Sequence, residues 1–323
     1  ANSAEKVLVV LHSCTGRQMM SFEPPHITWI CKELTVSKPL QALSDLSILA
    51  DRQALQDSLV ALCLFPRLTA LSLDVESRSP EQLDLSILQP LTALEKLECY
   101  YWTHVELRCS TALSQLTHLA FKEGDSLVID AALPNLQELD VDNADSVKLN
   151  GRHLLLPQLT DLILYVAKCA AVNWEAMPQL ACLQACCETW ECDAARLRTL
   201  NRLTSLTLVN GSLKASREAS KRVLHTAPPS LLQLRILDDF ENWPQPPPVM
   251  WLPQLSQLTC SLPMIPYLGP LAQLELLEFP EHSAAALTEQ HLGLLSSLTN
   301  LQQLRIRKQR GRDAGMYEQC KGD

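Results

Sequence analysis

The stretch LPNLQELDVDNADSVKLNGRHLLLPQLTDLIL, residues 133–164, contains the same pattern twice. One apolar triplet recurs 23 residues further along the chain, where Leu136, Leu139 and Val141 are followed by Leu159, Leu162 and Leu164. Alternate residues of a strand point to the same side, so each copy predicts a short strand with one apolar face. A strand this short cannot cover that face alone. Stacking the copies side by side would bury it, as in a solenoid.

The same frame, leucine-x-x-leucine-x-apolar, recurs along most of the chain at spacings of 19 to 28 residues. Its first positions are Leu43, Leu68, Leu94, Leu116, Leu136, Leu159, Leu180, Leu203, Leu231, Leu255, Leu274 and Leu301. In this the sequence resembles the leucine-rich repeat family. That resemblance implies an α/β fold: a curved, horseshoe-shaped leucine-rich repeat solenoid with a parallel β-sheet on its concave face and mixed helical and irregular outer segments.

Proline stands two residues before the first leucine in half of the units, at Pro66, Pro134, Pro157, Pro178, Pro229 and Pro253. Proline fixes φ and has no N–H, so it ends an outer segment without entering the strand ladder. The resulting LPxLxxLxL phrase is similar to that of irregular intracellular plant or algal leucine-rich repeat proteins, including F-box substrate receptors. No F-box segment is recognisable in this chain.

One position departs from the family pattern. Three residues after each strand the family usually has Asn or Cys, and this chain has no such ladder. We therefore expect turns and outer segments that differ from unit to unit. Helices are expected at 213–225, at 283–295 and after Asp51, and an extended segment at 243–253.

The sequence predicts one continuous body in three parts. Residues 1–39 form an N-terminal cap with a strand at 7–11, residues 40–308 form an array of about twelve units, and residues 309–323 form a basic C-terminal tail.

Charge is uneven along the chain, whose formal net charge is −9. The basic residues near the C-terminus are Arg305, Arg307, Lys308, Arg310, Arg312 and Lys321. The remainder is acidic, which argues against nucleic-acid binding except through this tail. It favours a protein partner with a basic surface.

The 12 cysteines are scattered rather than clustered at the ends, which favours a reducing, intracellular compartment, cytoplasmic or organellar. Cys182, Cys186, Cys187 and Cys192 form the one group with metal-like spacing, but the first two flank Leu183 on a predicted strand. We interpret them as small packing side chains and predict no metal and no cofactor. No apolar run is long enough to span a membrane.

Known catalytic motifs are missing from the sequence, including those of phosphate-binding loops, zinc proteases and serine hydrolases. We therefore predict that the protein is not an enzyme. VLVVLHSCTG at 7–16 and the cysteine cluster from Cys182 to Cys192 keep a hydrolase or metal-binding enzyme open as a weaker alternative.

Residues between the buried positions of each strand should project onto the concave face, where they combine carboxylates with tyrosines. The predicted partner-binding residues are Glu98, Tyr100, His118, Lys122, Glu138, Asp140, Asp142, Asp161 and Tyr165. Aromatic anchors among charges suit protein recognition. The alternative is a charged face that is simply solvated.

The sequence thus favours a non-enzymatic protein–protein interaction scaffold that is a subunit of a larger assembly. The resemblance to F-box proteins implies an alternative, the substrate-receptor arm of a ubiquitin ligase.

Overall fold

The structure is a computed structural model that describes residues 6–11, 45–50, 62, 65, 67–84, 88, 90–108, 113–190, 194–209, 223, 225–237, 252–279 and 288–306. Most of the predicted cap, the proline-rich segment and the basic tail lie outside these residues. The chain divides into two compact units, residues 1–159 and 160–323. Each unit is a parallel β-solenoid and is described by itself.

Unit 1 contains seven strands among its described residues. They are β1 (Lys6–Leu11), β2 (Asp45–Ala50), β3 (Ala70–Asp84), β4 (Lys96–Arg108), β5 (His118–Lys122), β6 (Ser126–Asp130) and β7 (Glu138–Leu149). Neighbours pair in parallel in the order β1, β2, β3, β4, β5, β7. β6 lies off this path and pairs with the later parts of β4 and β7.

The repeat positions of unit 1 form columns along this sheet. The second frame leucines stand opposite one another from strand to strand: Leu46, Leu71, Leu97, Leu119 and Leu139. All of them are buried. The third positions form a second buried column, in which Cys99 and Phe121 replace leucine. Each strand therefore covers the apolar side chains of the next, as the repeat predicts.

Unit 2 repeats the arrangement with seven strands. They are β8 (Asp161–Val172), β9 (Cys182–Trp190), β10 (Ser205–Val209), β11 (Gln233–Leu237), β12 (Gln257–Thr259), β13 (Leu276–Phe279) and β14 (Gln303–Ile306). They pair in parallel in chain order, so Leu162, Leu183, Leu206, Leu234, Leu258, Leu277 and Leu304 form one column. Leu304, on the last strand of the described residues, is exposed.

A repeated turn brings the chain into each strand. The N–H of the first frame leucine donates to the carbonyl three residues earlier, as from Leu94 to Leu91 and from Leu136 to Leu133. The carbonyl of the residue after that leucine then accepts from two N–H groups of the next repeat. The Glu95 carbonyl, for example, accepts from Thr117 and His118. This backbone ladder satisfies polar groups at the start of the strands, and the Thr117 hydroxyl also donates to the Glu95 carbonyl.

Several strands are much longer than the repeat predicts. β3, β4, β7 and β8 run for 12 to 15 residues. In unit 1, three residues have positive φ: Tyr101 (64°), Glu123 (56°) and Asn143 (54°). Each follows a residue of the aligned row Tyr100, Lys122 and Asp142, so the chain bends at the same corner in successive repeats. Trp102, directly after Tyr101, lies inside β4.

The outer segments contain little helix within the described residues. Helix α1 (Glu289–Leu295) falls in the predicted 283–295 segment and is capped by Thr288. Short 3₁₀ helices occupy Trp174–Ala176, Ala194–Thr199 and Leu262–Tyr267. Of the helices expected at 213–225 and after Asp51, most residues lie outside the described part of the chain.

Candidate partner-binding face

The outward residues of β4, β5 and β7 lie together on one side of unit 1, and we call this the polar face. Strand alternation places on it Lys96, Glu98, Tyr100, His118, Ala120, Lys122, Glu138, Asp140 and Asp142. All of the predicted binding residues that belong to unit 1 are among them. The buried columns beneath fix their spacing, because each strand is held in register by its neighbours.

Glu98 is the hub of the first cluster on the polar face. Its Oε1 lies 2.9 Å from Lys96 Nζ, and its Oε2 accepts a hydrogen bond of 3.2 Å from the Tyr100 hydroxyl. Partial burial raises the pKa of Glu98, but the hydrogen bond and charge of Lys96 outweigh it and hold the pKa below the ordinary value. Glu98 is therefore a carboxylate at neutral pH, and it orients the ring of Tyr100.

Two further ion pairs cross from β5 to β7. His118 Nε2 lies 3.6 Å from Glu138 Oε2, and both side chains are nearly half exposed. Lys122 Nζ lies 3.1 Å from Asp140 Oδ2. Desolvation lowers the pKa of Lys122, but its hydrogen bond with Asp140 and the nearby negative charges raise the pKa above its ordinary value. The lysine is thus firmly charged and bound to its partner.

Asp142 ends the row opposite Lys122. Burial raises its pKa, and the negative charge of Asp140 raises it further. Just beyond it, the corner presents Tyr101, whose pKa is raised by the charge of Glu123, the residue that follows β5. The polar face therefore carries more carboxylates than lysines, with two tyrosines along one edge.

Sequence reasoning missed the part of the polar face that lies on β2 and β3. Asp45, Ser47, Ala70 and Ser72 continue the two rows that pass through Lys96 and Glu98. The strand alternation that was applied to the later repeats would have identified these four residues. Tyr101 and Glu123 were missed because their left-handed conformation breaks that alternation.

Asp161 and Tyr165 belong to β8 of unit 2 and are described there. Asp161 Oδ2 accepts a hydrogen bond of 2.7 Å from the Thr160 hydroxyl, and the Tyr165 hydroxyl donates to Gln184 Oε1 at 3.2 Å. Asp161 also faces Cys182 across the β8–β9 pair. Burial and the charge of Asp161 raise the pKa of the Cys182 thiol.

One of the basic residues predicted near the C-terminus is described. Arg305 lies on β14 and donates from Nη2 to Gln303 Oε1 at 2.6 Å. Arg307, Lys308, Arg310 and Arg312 lie outside the described residues. The tail's role therefore stays a prediction.

The described residues contain no group of three or more His, Cys, Asp and Glu side chains able to hold a metal. Cys182, Cys186 and Cys187 lie on β9, and no disulfide joins the cysteines that the structure describes. Cys192 lies outside that part of the chain. Among the helices that the structure describes, none has the length and apolar character needed to cross a bilayer.

The registers and the polar face define a parallel β-solenoid with a patterned, partly exposed side. No protein-family model and no curated protein match the chain. Among solved structures it is similar to a chain of the TLR13–ssRNA13 complex, with 17% identity over 82% of this chain and 46% of that one, and a TM-score of 0.38. It is also similar to a chain of the Drosophila Toll–Spatzle complex, with 11% identity over 84% and 44%, and a TM-score of 0.30.

The chain spans less than half of each of these two proteins. Both TM-scores are below 0.5, so neither comparison supports detailed geometry or function. The parallel array rests on the strand registers of this chain itself.

Proposed function

We propose that this protein is a non-enzymatic scaffold that holds a protein partner with a basic surface against the polar face of unit 1, as a subunit of a larger assembly. The observation that carries this proposal is the cluster of Glu98, Tyr100, Asp140 and Asp142 on adjacent strands in fixed register. A rigid sheet presents these groups at low entropic cost to a partner. An aromatic anchor beside charged groups is a common centre of a protein interface.

The ion pairs of the polar face support recognition rather than folding. Half-exposed pairs contribute about 0–1 kcal/mol each, so they add little to stability. A partner's lysine or arginine could replace Lys122 at Asp140, where the two side chains are 32% and 20% exposed. Electrostatic complementarity of this kind increases the association rate and selects for basic partners.

The experiment is affinity capture of partners from the protein's own source with the full chain, followed by titration of the captured partner. Asp140→Lys is compared with Asp145→Lys, which makes the same charge change five residues along the same strand, where the side chain is exposed. We expect Asp140→Lys to weaken binding at least about tenfold, equivalent to about 1.4 kcal/mol. Equal dissociation constants for the two variants would remove the polar face as the main site.

The finer assignments of the sequence analysis remain part of this proposal. The curvature of the array, the intracellular compartment and the contribution of Asp161 and Tyr165 are all predictions. The substrate-receptor alternative needs a helical adaptor-binding segment, and none is recognisable in the sequence of residues 1–36. In the part of the chain that is described, no observation favours that alternative or a hydrolase.

A further inference from the structure

A small depression lies on the polar face where β2, β3 and β4 run side by side. Its volume is about 90 Å³. The residues that line it are Asp45, Leu46, Ser47, Ala70, Leu71, Ser72, Lys96 and Glu98. This space is too small for a nucleotide or a sugar chain, and it is suited to one side chain of a partner.

Side-chain size explains why the face is hollow here. On β3 the outward residues are Ala70 and Ser72, which are short, whereas Lys96 and Glu98 rise on β4 and Asp45 on β2. Neighbouring strands are about 4.8 Å apart, so the two walls stand roughly 10 Å apart over a low floor. The buried Leu71 beneath the floor, 2% exposed, keeps that strand in place.

The walls carry acidic groups on both sides. Register places Asp45 in the row of Lys96, and Ser47 in the row of Glu98, so the two carboxylates stand at diagonal corners. The Lys96 ammonium lies 2.9 Å from Glu98 and partly neutralises that carboxylate. Glu98 has a second oxygen, which accepts from Tyr100, and carboxylate oxygens can each accept more than one hydrogen bond.

We propose that this depression receives one arginine side chain of the protein partner, with the guanidinium between Asp45 and Glu98 and the methylene groups over Ala70. The hydroxyl oxygens of Ser47 and Ser72 accept its remaining N–H groups. Arginine fits better than lysine because its planar group presents five donors in two directions, whereas an ammonium is a compact point charge. The inference rests on the proposed function for the identity of the ligand as part of a protein.

The pocket itself can be tested without the partner. The probe is arginine blocked at both ends, N-acetyl-arginine-N-methylamide, titrated into the full chain and followed by amide chemical shifts. The matched control probe is the blocked citrulline compound, which has nearly the same shape and no charge. We expect shifts concentrated at Asp45, Ser72 and Glu98 with arginine, and binding about fivefold weaker with citrulline.

Two variants locate the binding. Ser72→Leu fills the floor and should abolish the arginine shifts, whereas Ser205→Leu, at an outward position of β10 in unit 2, should leave them unchanged. Because Ser72→Leu could disturb folding, Asp45→Asn provides a second test. It keeps the shape of the wall and should weaken arginine binding about threefold, by removal of one partly exposed charge.

Equal binding of arginine and citrulline would overturn the proposal, as would full arginine shifts in a folded Ser72→Leu protein. These outcomes are distinguishable from failure of the proposed function. The titration reports on the depression alone, whereas the Asp140→Lys comparison reports on partner binding by the rest of the polar face. Arginine binding with no effect of Asp140→Lys would retain the pocket and reject the part of the polar face around Asp140 on β7 as the main partner site.

Discussion

Replacing Gly124 by alanine should destabilise unit 1, because the corner that joins its strands has no room for a methyl group. Gly124 is buried directly after Glu123, one of the three residues with positive φ. A Cβ at this position would overlap the ring of Phe121 and the carbonyl oxygen of Trp102. That carbonyl accepts the Asp125 N–H at 3.2 Å, so moving it would disturb the corner ladder.

The size of the effect follows from what must give way. Phe121 is 1% exposed and fills the third frame column, so its ring cannot swing into solvent. Overpacking of such a core costs about 1–3 kcal/mol. One of the clashing atoms belongs to the backbone, so we expect Gly124→Ala to lower the free energy of unfolding by about 2 kcal/mol or more, in the upper part of this range.

Urea unfolding followed by circular dichroism measures the change. With a urea dependence of about 2 kcal/mol per molar, a loss of about 2 kcal/mol lowers the midpoint by about 1 M. Gly293→Ala is the matched control, since nothing lies within 4 Å of its added Cβ and it lies inside α1. Alanine there should raise stability by up to about 1 kcal/mol.

A Gly124→Ala protein with the wild-type midpoint would refute this account of the corner. So would a destabilisation of Gly293→Ala as large as that of Gly124→Ala. The first result would mean that the packing of Trp102, Phe121 and Gly124 differs from the one described, and the second that the loss of stability is not specific to the corner.

Two further predictions concern titration and thiol chemistry. Burial and the charge of Asp140 raise the pKa of Asp142 in the folded state, so the folded protein binds more protons than the unfolded one and stability falls as pH rises between the two pKa values. The Asp142→Asn variant should therefore unfold at a higher temperature than the wild type at pH 7 and at the same temperature near pH 3. The same difference in unfolding temperature at both pH values would contradict this. Burial raises the pKa of the Cys99 thiol to about 12 and also raises that of Cys260, whereas Cys182 is only partly buried. Iodoacetamide at pH 8 should therefore label Cys182 before Cys99 and Cys260, as read by peptide mass spectrometry, and faster labelling of Cys99 would be inconsistent with its position in the core.

The sequence predicted the strands well because burial imposes a strict periodicity on them. Leu139 and Leu162 could be assigned because a slip of one residue would turn every apolar side chain outward. The same alternation identified Glu98, Asp140 and Lys122 as outward residues. Their cross-strand proximity followed once the frames were aligned.

The corner of unit 1 could not be predicted from the sequence. Of Tyr101, Glu123 and Asn143, asparagine alone is common in the left-handed region, so the column gives little local signal. The later parts of β4 and β7 pair with β6, and this tertiary pairing overrides the intrinsic backbone preference of Tyr101 and Glu123 for negative φ. For the same reason the lengths of β4 and β7 were underestimated.

The depression was also beyond the sequence argument, although its residues were not. It depends on the contrast between Ala70 and Ser72 on one strand and Asp45, Lys96 and Glu98 on its neighbours. The repeat pattern predicts which residues point outward. A depression depends in addition on the register of three neighbouring strands.

Site-specific photo-cross-linking tests the central claim most directly, because it reports which face touches the partner. Benzoylphenylalanine is placed at Ala120, in the middle of the polar face, or at Lys148, an exposed position on the later part of β7. The account predicts covalent capture of the partner from position 120 and little from position 148. Capture from position 148 without capture from position 120 would contradict it.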